Sequence, residues 1–280
     1  MKNVLKGIIP AVAALALTAC DNIEQGDRYI YVAPEDPVNP DTATFAPRHA
    51  VLIEDFTGQR CSNCPTAIEE IERLQNELGD TAVIAVGIHS GPFGFAGNDQ
   101  YPGFMTDLGN IYYDYWSIQS QPMGVIDRLG TSAYQQWATI TYSQLKKSCP
   151  LALSLNNSFD GQTRRLTVTV NARSAGAVSG AKLQIWLVED SLVSLQTTPN
   201  GFYNLKYVHN HVLRDAVNGT WGTDFSIEAD ATKADTFTYT VPEGWVADNV
   251  SAVAFVYKSG GEGVIQVTKR HITGQHPAAQ

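Results

Sequence analysis

The sequence predicts an α/β domain followed by an all-β domain, and three features of the chain lead to that fold class. Over residues 49–149, apolar runs alternate with amphipathic helical segments, which is typical of an α/β layer. Over residues 150–273, short alternating strands are separated by Gly, Asn and Asp turns. A Cys-x-x-Cys formed by Cys61 and Cys64 lies where the first apolar run gives way to the first helical segment.

The first domain begins with a buried-strand pattern over residues 49–56. Residues 65–78 are predicted to be a helix because their apolar side chains recur every three or four positions, and Gly79 is suited to end it. Residues 82–88 form a continuous apolar run of the kind found inside parallel sheets. The remaining predicted elements are a strand over residues 124–128 and a helix over residues 133–147.

The second domain is expected to be a β-sandwich of the immunoglobulin-like class, because about seven short strands fall within about 120 residues. The unpaired Cys149 is expected to be a small buried residue at the domain junction. Residues 274–280 form a tail after the last strand. The predicted strands are residues 151–155, 165–171, 182–189, 207–214, 236–241, 251–257 and 264–268.

The first 19 residues have the composition of an export signal. Lys2 and Lys6 flank the start of a short apolar run over residues 7–17, which is too short for a membrane-spanning helix. Leu17-Thr-Ala-Cys20 resembles the lipobox of bacterial lipoproteins, which implies that Cys20 is lipid-modified and begins the mature chain. The expected partner at this end is a membrane, reached through lipid on Cys20. The alternative is ordinary cleavage that leaves Cys20 free.

Residues 20–48 are acidic and proline-rich, which predicts an extended tether. Removal of residues 1–19 takes two lysines and no acidic residue, which leaves 17 basic and 28 acidic side chains and a net charge of −11. This charge disfavours nucleic acid and anionic lipid surfaces as partners. Acidic residues after a lipidated cysteine also resemble the surface-export signals of Bacteroidetes lipoproteins, so surface exposure is a further expectation.

Three features of the first domain resemble thioredoxin-like proteins. Asp55 lies six residues before Cys61, Cys61-Ser-Asn-Cys64 begins the predicted helix, and Gln121-Pro122 precedes a predicted strand. The resemblance implies that Asp55 is buried and assists proton transfer from the second cysteine. It also implies a cis Pro122 that exposes a backbone edge, with which an incoming substrate strand pairs.

The dithiol is predicted to take part in disulfide exchange. A cysteine at a helix N-terminus faces unpaired N–H groups and the positive end of the helix dipole, which favour the thiolate. Cys61 is the expected nucleophile, favoured by the charge of Arg60, and Cys64 is the resolving thiol with Asp55 as its proton acceptor. Arg60 and the intervening Ser-Asn depart from the usual Trp and Gly-Pro of thioredoxins. The alternative is an inert structural disulfide.

Residues 90–120 are an insertion relative to a minimal thioredoxin, and they are rich in aromatic side chains. The insertion joins a strand end to the proline loop, so it is expected to overhang the dithiol. Tyr112, Tyr115 and Trp116, together with Gln121, are candidates to dock a peptide or glycan. The alternative is that most of these aromatic side chains form a small core of the insertion itself.

No metal and no cofactor are expected, although two patterns of histidine allow an alternative. Cys61, Cys64 and His89 could bind Cu(I), as copper-delivery proteins with this fold do. A histidine at a strand end is more often half-buried and hydrogen-bonded. His209 and His211 would share one strand face, but a third ligand is missing nearby, so solvated histidines are expected.

Four segments beyond the lipobox and the tether carry a resemblance over residues 17–273. They are Glu54-Asp-Phe-Thr-Gly-Gln-Arg-Cys-Ser-Asn-Cys-Pro65, Gln121-Pro-Met-Gly-Val-Ile-Asp-Arg128, His209-Asn-His-Val-Leu-Arg214 and Gly219-Thr-Trp-Gly222. The chain thereby resembles a family of Bacteroidetes lipoproteins named for a small outer-membrane protein and regarded as surface receptors or adhesins. The resemblance implies a thioredoxin-like domain joined to a β-sandwich, and a location at the outer membrane of the cell envelope.

Two functions are consistent with these features, and the fold class alone does not decide between them. In the first, the chain is a lipid-anchored enzyme that exchanges thiols and disulfides with exported or surface proteins. In the second, it is a surface adhesin, receptor or binding lipoprotein. The β-sandwich and the aromatic insertion then contact a host or envelope ligand, and the dithiol is structural.

Overall fold

A computed structural model of the chain describes residues 45–273. The predicted signal peptide, Cys20, most of the tether and the C-terminal tail lie outside the described residues. Within the described part, no helix is both long enough and apolar enough to cross a membrane.

From residue 45 to residue 149 the elements follow the order that the sequence predicts, with one helix added in the insertion and one two-residue strand added after residue 128. Gly79 ends the first helix with a φ of 94° and donates its N–H to the carbonyl of Gln75 at 2.8 Å. The added helix is capped by the Thr106 hydroxyl, which accepts the N–H of Gly109 at 3.0 Å. The elements are β1 (Val51–Thr57), α1 (Cys64–Leu78), β2 (Val83–His89), α2 (Asp107–Tyr115), β3 (Met123–Ile126), β4 (Thr131–Ser132) and α3 (Trp137–Leu145).

The rest of the described chain is formed by strands, including two that the sequence did not predict. The predicted strand over residues 207–214 is two strands, because His211 has a φ of 57° and breaks the extended backbone. The strands are β5 (Leu151–Asp160), β6 (Arg165–Ser174), β7 (Val178–Glu189), β8 (Leu192–Thr197), β9 (Tyr203–His209), β10 (Val212–Ala216), β11 (Thr223–Ile227), β12 (Thr232–Thr240), β13 (Val250–Lys258) and β14 (Gly263–His271). The unpredicted ones are β8 and β11.

One mixed sheet of nine strands joins the two parts of the chain. Its order is β14-β13-β7-β10-β2-β1-β3-β4, and β11 also pairs with β7. The joining pair is β10 and β2, where Val212 lies opposite Gly87 and the N–H of Gly87 donates to the carbonyl of His211 at 2.8 Å. The sheet therefore crosses the domain boundary that was predicted near residue 150, and the described residues belong to one compact unit.

Helices cover both faces of the β1–β2–β3 end of this sheet. On one face, α1 and α3 bury Leu74 and Trp137 against Val51 and Ile53 of β1. Successive side chains of a strand point to opposite faces, so Phe56 lies on the other face, where α2 packs. The second core continues along the same sheet to Trp186 of β7 and Phe255 of β13.

A second sheet, in the order β12-β6-β5, packs on the β7–β13 end. Leu166 and Val168 of β6 share a core with Leu183 and Ile185 of β7 and Ala254 of β13. This part of the chain is thus a two-layer β structure, as predicted at the coarse level. The immunoglobulin-like class stays a prediction.

A buried ion pair fastens the start of β1 to the turn after β3. His49 Nε2 lies 2.7 Å from Asp127 Oδ2, and the N–H of Leu52 donates to Asp127 Oδ1 at 2.9 Å. The carbonyl of Asp127 accepts the N–H of Val264 at 2.8 Å, so β14 is held at the same point. Burial by itself would lower the pKa of His49, but hydrogen bonds to Asp127 and Cys149 raise it to about 9.

Candidate dithiol site

The Cys-x-x-Cys lies at the sheet edge where β1 ends and α1 begins. Cys61 and Cys64 form a disulfide with an S–S distance of 2.04 Å and a Cα–Cα distance of 5.5 Å. Cys64 is the first residue of α1 and Pro65 follows in its first turn, a position that needs no backbone N–H. Cys64 is fully buried and Cys61 is 2% exposed, so the predicted nucleophile is covered.

The first half of the insertion covers one side of this loop. The N–H of Arg60 donates to the carbonyl of Phe93 at 3.0 Å. A Cβ at Gly58 would lie 2.2 Å from the same oxygen, so only glycine permits this approach. The exposed Arg60 places its guanidinium 4.9 Å from the centre of the Phe95 ring. The predicted overhang of the insertion is therefore confirmed for this half, whereas the effect of Arg60 on Cys61 stays a prediction.

The β8–β9 hairpin, residues 192–209, covers the other side of the loop. Gln196 donates from Nε2 to the carbonyl of Cys61 at 2.8 Å and to that of Gly58 at 3.3 Å. The N–H of Thr197 donates to the carbonyl of Gln59 at 2.8 Å. The sequence did not predict this cover, because β8 was not predicted and its contacts are more than 130 residues away in the chain.

Gln59 ties the two covers to the loop. Its fully buried amide donates from Nε2 to Ser194 Oγ at 2.9 Å and to the carbonyl of Pro102 at 3.1 Å. Its Oε1 accepts the N–H of Phe104 at 2.9 Å. Gln59 lies inside the motif that contains the dithiol, so its position in the sequence indicated a role at this site. Nothing in the sequence indicated the residues to which its amide is hydrogen-bonded.

Asp55 is buried, as predicted, with 1% of its surface exposed. It lines a small cavity of about 20 Å³, which α1 closes through Ile68 and Ile71 and which His89 and His209 also line. A space of this size holds about one water molecule. Within the described residues, Asp55 Oδ1 has no hydrogen-bond partner. Burial raises the pKa of Asp55 to about 8.

The Gln121–Pro122 peptide bond is cis, as predicted, and lies at the edge where β1 ends. Gln121 was predicted to dock substrate, but it is 8% exposed and its Nε2 donates to the carbonyls of Thr57 at 2.7 Å and Ser90 at 3.0 Å. Gln121 therefore joins the ends of β1 and β2 and positions the proline loop.

The aromatic residues predicted to dock substrate near the dithiol lie elsewhere. Tyr112 is fully buried, and its hydroxyl donates to the carbonyl of Thr220 and accepts the indole N–H of Trp186. Tyr115 and Trp116 pack beside Trp221, with the Tyr115 and Trp221 ring centres 4.5 Å apart. The docking prediction is thus wrong for Tyr112, since the amphipathic α2 turns it into the core.

The structure contradicts the prediction that His209 is solvated, and it bears on the alternative of a metal site at His89. His209 is 1% exposed rather than solvated, and its ring lies 5.4 Å from His89 and 4.9 Å from Phe104. Burial lowers the pKa of His209 to about 4. His89, Cys61 and Cys64 do not form a metal-binding group, and residues 45–273 contain no group of three His, Cys, Asp or Glu side chains placed to hold a metal ion.

Cys149 is a free, buried thiol, in agreement with the sequence prediction. Its Sγ donates to the carbonyls of Leu151 and Ile265 at 3.0 Å and 3.2 Å. Two residue pairs were missed altogether: His49–Asp127, and Glu54–Arg128 with a 3.0 Å contact between Arg128 Nε and Glu54 Oε1. Glu54, Asp127 and Arg128 belong to the motifs over residues 54–65 and 121–128, and their place in those motifs is the sequence feature that could have identified them.

Comparison with solved structures supports the fold. The chain superposes on HBP35 of Porphyromonas gingivalis with a TM-score of 0.65 and 17% identity, covering 83% of this chain and 78% of that one. A protein of Agrobacterium tumefaciens gives a TM-score of 0.51 and 13% identity, covering 84% of this chain and 100% of that one. At these identities the likeness is one of fold.

A further solved structure, the curated proteins and a family sequence model complete the comparisons. A domain of the outer membrane lipoprotein Omp28 from Porphyromonas gingivalis is 28% identical, with a TM-score of 0.33, covering 44% of this chain and 88% of that one. No curated protein matches the chain. The sequence model of the family "Outer membrane protein Omp28" matches residues 109–276, a region that follows the dithiol. The chain therefore belongs to the Omp28 outer membrane protein family, and its location is the outer membrane of the cell envelope.

Proposed function

We propose that the chain is a lipid-anchored, thioredoxin-like protein that exchanges thiols and disulfides with exported or surface proteins. The observation that carries the proposal is the Cys61–Cys64 disulfide at the start of α1, with the buried Asp55 on β1 and the cis Pro122 at the same sheet edge. The lipid on Cys20 is part of the proposal and lies outside the described residues.

The reaction begins with a thiolate of the partner protein attacking Cys61 Sγ. The Cys61–Cys64 bond breaks, a mixed disulfide forms, and Cys64 leaves as a thiolate. Asp55 holds a proton at neutral pH because burial raises its pKa to about 8, so it can protonate Cys64. A second thiolate of the partner protein then attacks the partner's sulfur in the mixed disulfide, which forms a disulfide within the partner and releases Cys61 as a thiolate. The partner loses two electrons and the dithiol gains them; the reverse sequence reduces a partner disulfide.

Access to Cys61 requires the β8–β9 hairpin to move, because Cys61 is 2% exposed beneath it. The hairpin is anchored by the packing of His209 against His89 and Phe104, and it is held on the Cys61 loop itself by hydrogen bonds, chiefly those of Gln196 and Gln59. Each such bond contributes about 1 kcal/mol net, so opening is within reach of thermal fluctuation or of a docking partner.

The test compares the rate at which dithiothreitol reduces the disulfide in wild type, in Gln196→Ala and in Gln119→Ala. Gln119 is an exposed glutamine on the insertion and serves as the matched control. We expect Gln196→Ala to react at least about 5-fold faster, as loss of about 1 kcal/mol implies, and Gln119→Ala to react like wild type. In cells, Cys64→Ser should accumulate mixed disulfides through Cys61. Equal reduction rates together with no trapped partner would contradict the proposal.

The alternative is a binding protein in which the disulfide is structural. It is favoured by the burial of Cys61 and by the apolar side chains that the hairpin exposes, which are Val193, Phe202, Tyr203, Leu205 and Val208. The reduction potential separates the two functions. A value between roughly −120 and −270 mV supports exchange, and one below about −300 mV supports the structural disulfide.

A further inference from the structure

A pocket of about 530 Å³ lies on the far side of the insertion from the dithiol and shares no residue with the dithiol site. Its volume falls in the range of small-molecule sites, roughly 300–1,000 Å³. Four aromatic side chains and several basic ones form it, on the end of α2, the turn after β3, the loop before β11 and the β13–β14 turn. The lining residues used below are Tyr115, Trp116, Arg128, Trp221, Tyr257 and Lys258.

Tyr115, Trp116, Trp221 and Tyr257 form the aromatic wall of the pocket, which is fixed by contacts within the protein and is partly exposed to solvent. Tyr115 is 60% exposed, and its ring centre lies 4.5 Å from that of Trp221 and 5.1 Å from that of Trp116. The Tyr257 hydroxyl donates to the carbonyl of Trp221 at 2.8 Å, which fixes the loop that carries this indole. Such rings offer flat apolar faces at low entropic cost, because each has only two side-chain torsions to immobilise.

Beneath the floor of the pocket lie two fully buried donors that have no hydrogen-bond partner within the described residues. Asp127 and Arg128 both have left-handed backbone, with φ of 47° and 56°, and this turn directs Arg128 under the pocket. Arg128 is 5% exposed and its Nε is paired with Glu54, but its Nη2 has no hydrogen-bond partner within residues 45–273. The indole Nε1 of Trp116 is likewise buried and without a partner in that range. Unpaired buried donors cost free energy that an acceptor on a ligand can recover.

The rim of the pocket is basic. Lys182 and Lys258 line it, and each is paired only at the surface, with Asp224 at 2.6 Å and Glu262 at 2.9 Å. Surface pairs of this kind are weak, so a ligand carboxylate can replace either partner at little cost. Donors thus lie both beneath the aromatic wall and around its edge.

We infer that this pocket binds a sugar ring that carries a carboxylate, such as a uronic acid. The aromatic wall matches the apolar face of a pyranose, and a rim lysine matches its carboxylate. The two separated donors beneath the floor match its acceptor oxygens once the side chains that cover them shift on binding. A flat aromatic acid has one cluster of acceptors and leaves the floor donors unpaired. The inference is independent of the proposed disulfide exchange, because it uses no residue of the dithiol site.

The test is saturation-transfer NMR on the full-length chain in detergent micelles, with D-glucuronate and D-glucose as probes. Signal transfer to glucuronate, with a dissociation constant at least about 5-fold lower than for glucose, is the expected result. Tyr115→Ala should weaken glucuronate binding at least about 5-fold. The matched control is Tyr203→Ala on the β8–β9 hairpin, since Tyr203 is also 60% exposed but lies outside the pocket.

A second variant checks the role of charge without touching the buried arginine. Lys258→Ala removes an exposed rim cation and should weaken glucuronate binding about 3- to 10-fold while leaving glucose binding unchanged. Absence of transfer to glucuronate, equal binding of glucose and glucuronate, or equal loss of binding in Tyr115→Ala and Tyr203→Ala would each overturn the inference.

Discussion

Replacing Asp55 with asparagine should stabilise the folded chain at neutral pH and change little at acidic pH. Asp55 is 1% exposed, and burial raises its pKa to about 8, against about 3.9 for an aspartate in an unfolded chain. Between these two values the folded protein holds a proton that the unfolded chain has lost. The contribution of Asp55 to stability is therefore most favourable below about pH 4 and declines as the pH rises towards 8.

The magnitude follows from the same two pKa values. Each pH unit between them lowers the free energy of unfolding by at most about 1.4 kcal/mol. From about pH 4.5 to about pH 7.5 the total is at most about 4 kcal/mol. Asparagine has nearly the shape of protonated aspartate and does not titrate, so Asp55→Asn should lose this dependence. The variant should match wild type at about pH 4.5 and exceed it by as much as about 4 kcal/mol at about pH 7.5.

The assay is urea unfolding followed by tryptophan fluorescence at several pH values, with the disulfide kept oxidised. Asp224→Asn serves as the control, because a hydrogen bond from Lys182 lowers the pKa of that exposed carboxyl and keeps it ionised over the whole range. Its difference from wild type should not vary with pH. An Asp55→Asn difference that is equally flat, or that shrinks as the pH rises, would refute the reasoning.

Two further predictions concern the packing around β1 and β3. His49→Gln should cost about 3 kcal/mol below pH 6.5, where the pair with Asp127 is fully formed, and progressively less as the pH rises through about 9, which the same urea series measures. Gly124→Ala should lower the midpoint of thermal unfolding by several degrees, since the added Cβ would lie 2.3 Å from Nε1 of the fully buried Trp137. Gly161→Ala, where no atom lies within 4 Å, should leave that midpoint unchanged, and an equal shift in both glycine variants would contradict the packing argument.

The elements that the sequence predicts well are those with a strong local period. β1, α1 and β2 agree with the expected segments to within two residues, because a continuous apolar run and a helical repeat are properties of a few neighbouring residues. The cis Gln121–Pro122 bond and the buried Asp55 were also predicted, but from the resemblance to thioredoxin-like proteins rather than from periodicity.

The features that escaped prediction depend on partners far away in the chain. β8 carries buried Ser194, Leu195 and Gln196 in succession, so it lacks the strict alternation that marks a strand with one buried face. The β10–β2 pairing rests on Val212 opposite Gly87, a contact that no local pattern signals. His209 is the last residue of the mostly exposed β9, and it is buried only because the hairpin folds back towards His89.

The shared sheet also changes how the motifs of the chain are understood. Glu54 and Asp55 are neighbours on β1 and therefore point to opposite faces. Asp55 faces α1, whereas Glu54 faces Arg128. The Arg128 guanidinium lies 4.8 Å from the Phe255 ring centre and 4.2 Å from that of Tyr257. The two neighbouring carboxylates of Glu54 and Asp55 therefore lie on opposite faces of the sheet, one beside Arg128 and the other beside α1.

This arrangement explains why the dithiol cannot be separated from the β-rich part of the chain. Cys61 is covered by Gln196, and the floor of the aromatic pocket is built from Arg128 together with residues of β7 and β13. A fragment that ends near residue 150 would keep the Glu54–Arg128 pair, but it would leave Arg128 without the rings of Trp186 and Phe255 and β2 without β10. Such a fragment should expose both the Cys61 loop and an open sheet edge, and it should aggregate rather than act as an independent thioredoxin-like domain.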